Sequence, residues 1–178
     1  YDNLNEMTVH LLKNGVTGIL ATVACVPHEK TLNVLDTVVK TMNIGTDGSD
    51  ILGIYMEGPY LNPKRCGGMT VESIREYSEE QFSEYMQCCN GKLKVITVAP
   101  EISHNSALVN FLSQSDVTVS IGHTDATAEQ TSQSIRDGIT NVTHLFNAMR
   151  GIHHREPGVP AAAFDSNVTV ELICDGHH

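Results

Sequence analysis

Tryptophan is absent and aromatic residues make up only 5% of the 178 positions, so Val, Ile, Leu and Met must fill any core. Basic residues are scarce. Eleven Lys and Arg stand against 21 Asp and Glu, a formal net charge of −10, and no basic stripe runs through the chain. Nucleic acid is therefore not an expected partner, because such binders present clustered cations to the phosphates. A small phosphorylated ligand stays open, since it needs only one or two local cations. No run of about 18 apolar residues exists, which excludes a hydrophobic membrane span. The N-terminal stretch YDNLNEMTVHLLKNG is amphipathic and lacks the basic-then-apolar layout of a secretory leader. The five cysteines are odd in number and form no CxxC, so reduced thiols and a cytoplasmic location are expected. No repeat, low-complexity segment or linker divides the chain, and residues 1–178 read as one domain.

What is present is an ordinary globular composition, 40% hydrophobic and 18% charged. Helix-like and strand-like segments alternate. Leu4, Met7, Leu11 and Leu12 keep helical spacing up to Asn14-Gly15, and Val16 to Val23 is a β-rich run. A helix is expected from about Glu29 to Met42, followed by the strand ILGIYM. EEQFSEYMQCCNG reads as a helix stopped at Gly91, and KLKVITVAPE as a strand. Residues 103–114 read as a short helix with Ser103 as its N-cap. VTVSIGH, ITNVTHL and NVTVELICDG complete six strands, with the helix TAEQTSQSIRDG between the first two of these. The strands are continuous apolar runs, which suits parallel strands buried on both faces. Repeated βαβ units leave a doubly wound open sheet or part of a (β/α)8 barrel, a fold that needs about 250 residues when complete.

Metal-capable residues recur at the carboxyl ends of these strands: Glu57, Glu101, His123, His144 and the Asp175–His178 run. In both folds that edge binds ligands. One carboxylate and two imidazoles, Glu57, His123 and His144, form a sound ligand set for one catalytic divalent ion. Each has a plainer alternative: a hydrogen-bonded structural histidine, or Glu57 paired with Lys64 or Arg65. In HHREPG, Arg155 offers bidentate phosphate contact, against a surface turn in which it pairs with Glu156 or Asp165. Gly67-Gly68 is a weak signal for a phosphate-approaching loop and otherwise a turn.

Taken together, MEGPYLNPKRCGG, VAPE, SIGHTDAT, THLFNAMRGIHHREPG and ICDGHH resemble, in order, the motifs of the N-acetylglucosamine-6-phosphate deacetylase family of amidohydrolases. The resemblance implies an α/β fold: a partial (β/α)8 TIM-type barrel of the metal-dependent amidohydrolase type, lacking terminal strands and the small β-sandwich domain. It implies hydrolysis of the acetamide of N-acetylglucosamine 6-phosphate to glucosamine 6-phosphate and acetate. Carried over position by position, Glu57, His123 and His144 match the ligands of one divalent metal ion. Zn²⁺ is the first expectation, and Fe, Co or Mn suit the same donors. Asn147 and Ala148 match phosphosugar contacts, Arg155 the phosphate-binding arginine, and His178 a substrate-contacting histidine that polarises the acetamide carbonyl. A homodimer is the family expectation.

Three departures accompany the resemblance. Met69 stands where a substrate-facing histidine is usual, and a thioether donates no hydrogen bond. The chain starts after the first barrel strand and stops before the strand carrying the catalytic aspartate. Asp175 is not that residue, and Asp125 reads as a helix N-terminal carboxylate. The 178 residues are accordingly expected to be inactive alone. A non-catalytic or degenerate phosphosugar-binding protein is the alternative of a different class, and another amidohydrolase a third.

Overall fold

The computed structural model describes residues 2–178. Helix and strand alternate throughout: α1 (Asp2–Lys13), β1 (Gly18–Ala24), α2 (His28–Ile44), β2 (Asp50–Glu57), α3 (Glu79–Cys89), β3 (Leu93–Val98), α4 (Asn105–Leu112), β4 (Thr118–Ile121), α5 (Ala128–Arg136), β5 (Asn141–Val142), α6 (Gly158–Phe164) and β6 (Thr169–Val170). The helix ends follow local chemistry. The Ser78 side chain accepts from Gln81 N to open α3, and Asn90, left-handed at φ 46°, closes it one residue before Gly91. Thr127 and Gln130 form a reciprocal capping box at the start of α5.

The sheet order is β1-β2-β3-β4-β5-β6, and every neighbouring pair is parallel. A doubly wound sheet reverses its order partway; this one never does. The sheet is a curled half-barrel whose crossovers are helices, so the barrel alternative is correct.

Register divides the sheet into two faces. Ile54, Met56, Ile96, Val98, Val119, Ile121 and Val142 fall on one and join a single buried cluster with Leu35, Val38, Phe82, Tyr85, Leu108 and Leu112. Each such side chain contributes about 1.5–3 kcal/mol when fully buried. The opposite, inner face is polar, contrary to the expectation of apolar burial on both sides. Tyr55, Thr97, Ser120 and Thr143 join there in one buried hydroxyl network. Asn141 and Glu171 extend it: Asn141 Nδ2 donates to Ser120 Oγ at 2.9 Å, and the Tyr55 hydroxyl donates to Glu171 Oε1 at 3.1 Å.

Other expectations need correction. His104, not Ser103, precedes α4, and no side chain caps that helix. The last two strands are only two residues long, because the chain after β5 turns through positive φ at His144, Phe146 and Ala148. Helix α6 was not anticipated, since Pro-Gly-Val-Pro reads as a turn.

Candidate metal centre

Three carboxyl-terminal strand ends bring the donors together. Glu57 is the last residue of β2, His123 lies two residues past β4, and His144 two residues past β5. Both histidines have left-handed backbones, φ 46° and 32°. Such conformations cost of order 1–3 kcal/mol for a side-chain-bearing residue and cluster at functional sites. Here they end the ladders and aim the rings into the sheet mouth.

His123 Nε2 lies 3.0 Å and His144 Nε2 3.2 Å from Glu57 Oε1, and the two Nε2 atoms are 3.1 Å apart. All three donor atoms lie within 4.8 Å of one another. His123 is 4% exposed, and its Nδ1 sits 2.9 Å from the Arg65 carbonyl oxygen. A carbonyl only accepts, so Nδ1 carries a proton there, and Nε2 is the ring atom turned toward Glu57 and His144. Three such atoms about 3 Å apart need a proton or a metal cation between them. Tetrahedral bonds of ~2.0–2.2 Å separate neighbouring ligands by about 3.3–3.5 Å, close to the spacing seen. The donor set therefore fits a divalent ion.

Burial opposes ionisation of Glu57, but hydrogen bonds from His123 and His144 and their charge outweigh it and hold its carboxyl down to about 2. Burial likewise works against charge on His144, and Glu57 more than offsets this, raising the imidazole above its ordinary value. The His144 Nδ1 atom is buried without a hydrogen-bond partner among the described residues.

The centre opens into a cavity of about 500 Å³ whose walls include Met69, Asn147, Ala148 and His178. Asn147 Nδ2 donates to the His144 carbonyl at 3.3 Å, which ties the wall to the ligand's own loop. His178 Nδ1 pairs with Asp175 Oδ2 at 2.9 Å. Backbone N–H groups of His177 and His178, with the His178 side chain, hold the Asp175 carboxyl down to about 2.

Arg155 is not brought to the cavity. It lies exposed in the loop before α6 and pairs with neither Glu156 nor Asp165. Glu156 instead accepts from Ala128 N at 2.8 Å and Gly158 N at 3.2 Å. Glu57 pairs with neither Lys64 nor Arg65. Gly67-Gly68 forms part of the cavity wall.

Glu101 and Asp125 are visible in the sequence as a strand-end acid and a helix N-terminal acid, but their partners behind the centre are not. Glu101 accepts from Asn62 Nδ2 at 2.7 Å, Thr124 Oγ1 at 2.5 Å and Asp125 N at 2.6 Å. Asp125 caps no helix. It bridges Arg65 and Arg150, and the Arg65 guanidinium first among its partners holds its carboxyl below the usual range. The partners are up to 60 positions apart, so no spacing signalled them.

No protein-family model matches the chain. It is 35% identical to N-acetylglucosamine-6-phosphate deacetylase of Vibrio furnissii over 179 residues, which cover all of this chain and 45% of that one. It is 37% identical to the Bacillus subtilis protein of the same name, covering 100% of this chain and 46% of the relative. An Escherichia coli N-acetylgalactosamine-6-phosphate deacetylase is 33% identical over 99% of this chain and 47% of its own length. Among solved structures, a Mycobacterium smegmatis N-acetyl-D-glucosamine-6-phosphate deacetylase mutant in complex with N-acetyl-D-glucosamine-6-phosphate superposes with a TM-score of 0.92 at 33% identity, covering 100% of this chain and 46% of that one. The Thermotoga maritima N-acetylglucosamine-6-phosphate deacetylase gives 0.86 at 34% identity, covering 97% and 46%. The chain thus spans about half the length of the curated relatives it matches. With the parallel half-barrel and matching strand-end motifs, the chain is similar throughout its length to about half the length of these N-acetylglucosamine-6-phosphate deacetylases.

Proposed function

We propose that this chain carries the metal-binding half of a phosphosugar deacetylase that hydrolyses N-acetylglucosamine 6-phosphate to glucosamine 6-phosphate and acetate. The observation that carries this reading is the convergence of Glu57, His123 and His144 at one cavity mouth. Zn²⁺ is the ion proposed, with Fe, Co and Mn accommodated by the same donors. A divalent ion held there supplies Lewis acidity at the amide carbonyl and makes water a competent nucleophile near neutral pH.

The chain's own residues do the rest of what is assigned to them. His123 keeps its proton on Nδ1, against the Arg65 carbonyl, and offers Nε2 to the ion. His178, when protonated, is stabilised by anionic Asp175 at Nδ1 and presents Nε2–H to the carbonyl oxygen, where negative charge develops. Asn147 and Ala148 form the wall against which the sugar rests. Arg155, outside the cavity in its exposed loop, is assigned to the phosphate, which requires that loop to move toward the sugar. Glu57 is the one carboxylate among the described residues lining the cavity, and both histidines already engage it. The proton-accepting carboxylate for water is therefore not among those residues. The proposal extends to a cytoplasmic homodimer acting on a small phosphosugar.

A binding-only protein is the second reading, favoured by Met69 in the cavity wall and by that single, already engaged carboxylate. Metal content and acetate release in the intact protein test both. Glu57→Ala, His123→Ala and His144→Ala should each lose the ion; stoichiometric metal in all three removes the ligand assignment. Wild type should release acetate, and Arg155→Ala should raise KM for the phosphorylated sugar far more than for N-acetylglucosamine. Metal binding with no acetate from either the glucosamine or the galactosamine epimer would establish the binding-only reading.

A further inference from the structure

Behind the three donors lies a second arrangement that touches neither the cavity nor the donor atoms. On the side away from the donor atoms, the His123 ring is held by Nδ1 against the Arg65 carbonyl at 2.9 Å. That carbonyl belongs to the short 3-10 turn Pro63–Arg65, which is held at two points. At its start, Asn62 N donates to the His123 carbonyl at 2.9 Å, and Asn62 Nδ2 donates to Glu101. At its end, the Arg65 guanidinium grips Asp125 Oδ1 through Nε at 2.9 Å and Nη2 at 2.7 Å. Immediately beyond are Gly67, at φ 57°, and Gly68, which give the backbone no stiffness of its own. The second oxygen of Asp125 takes Arg150 Nη2 at 2.9 Å, and its backbone carbonyl takes Arg150 Nε at 2.6 Å. One carboxylate therefore joins the loops after β2, β4 and β5, the three that supply the donors.

We propose that Asp125 is a positioning residue for the metal centre: by clamping Arg65 it fixes the carbonyl that sets the tautomer and orientation of His123. The claim rests on the reading of Glu57, His123 and His144 as metal ligands. Asp125 itself touches neither ion nor substrate. A histidine ligand free to rotate, or to place its proton on Nε2, binds a cation less well, and losing such an outer contact typically weakens metal affinity about 10- to 100-fold. The Asn62 anchor uses no atom of the Asp125 side chain, so the turn is expected to survive loss of the clamp while its last carbonyl gains freedom. A carboxylate that served only to stabilise the fold would change the melting temperature and leave the ion's environment alone.

The test is Co²⁺ titration of the intact protein against a competing chelator, with the cobalt absorption spectrum reporting coordination geometry. Asp125→Ala should weaken cobalt binding about 10- to 100-fold and alter the spectrum. Arg65→Lys keeps the charge but loses the fork, and should shift both readouts in the same direction even where Asp125→Ala folds poorly. Combining the two substitutions should cost less than the sum of the separate losses, because both break one link. Wild-type cobalt affinity and spectrum in Arg65→Lys, with affinity lost in His123→Ala, overturn the role of Asp125 and leave the ligand reading standing. Undiminished affinity in His123→Ala overturns the ligand reading and this proposal with it.

Discussion

Gly122 shows how narrow the tolerance is at single positions around the centre. A Cβ there would lie 2.6 Å from Thr97 Cγ2 and 2.9 Å from Thr143 Cβ, both on the polar inner face. Neither neighbour can retreat easily, because their hydroxyls bond each other at 2.9 Å and Thr143 also bonds Tyr55 and Ser120. Gly122→Ala is therefore expected to cost about 1–3 kcal/mol by overpacking and to displace His123, the next residue. Urea unfolding and cobalt titration of the variant measure the two effects; wild-type values in both would show the inner face to be looser than these distances imply. Residue chemistry also shows where reading by type succeeds and fails. The three donors were legible because Glu and His are rare endings for apolar runs. The partners of Asp125 and Glu101 were not, because an acidic residue in a loop has many partners and only the folded chain selects one.

At the scale of elements, helices α1 to α5 follow their apolar spacing and end signals, with boundaries within a few residues of those expected. Strands β5 and β6 fall short of their apolar runs. Propensity extends ITNVTHL as a strand, whereas the site bends it at His144. Helix α6 is short, and the carboxylate at its start, Glu156, also holds the start of α5, 28 positions earlier in the chain. Glu156 accepts backbone N–H groups from the first residues of both α5 and α6, and these donors, Ala128 first, lower its carboxyl below the ordinary range. Glu156→Ala should thus lower the thermal midpoint and loosen the segment carrying Arg155. Amide exchange should quicken at both helix starts; quickening at α6 alone would mean that the two helices are not joined through this side chain.

At the scale of the whole molecule, buried acids govern behaviour at high pH. Burial pushes the Cys25 thiol up to about 11, the Cys89 thiol up to about 12 and the Tyr55 hydroxyl up to about 12. The folded state holds these protons more tightly than the unfolded chain, whose thiols titrate near 9. The associated stability is complete below pH ~9 and is lost as pH rises through about 11 to 12. Urea midpoints should fall across that range; a flat or rising profile above pH 9 would contradict the burial assigned to these groups. Several apolar side chains near the C-terminal end are exposed: Phe146 and Phe164 meet with ring centroids 6.3 Å apart and planes tilted by 57°, and Leu172 stands 60% exposed. Among the described residues no helix is long and apolar enough to cross a membrane.

The amino-acid sequence alone determined the alternation of helix and strand, the half-barrel class once its motifs were matched, and which residue types stand at the strand ends. Those properties are local: period, end signals and residue type are written within a few positions of each other. Only the tertiary structure decided which face of the sheet is polar, that Arg155 stands outside the cavity, and that Asp125 and Glu101 lock the loops from behind. Each of these depends on contacts between segments tens of residues apart, and many arrangements satisfy the same local pattern until packing chooses among them.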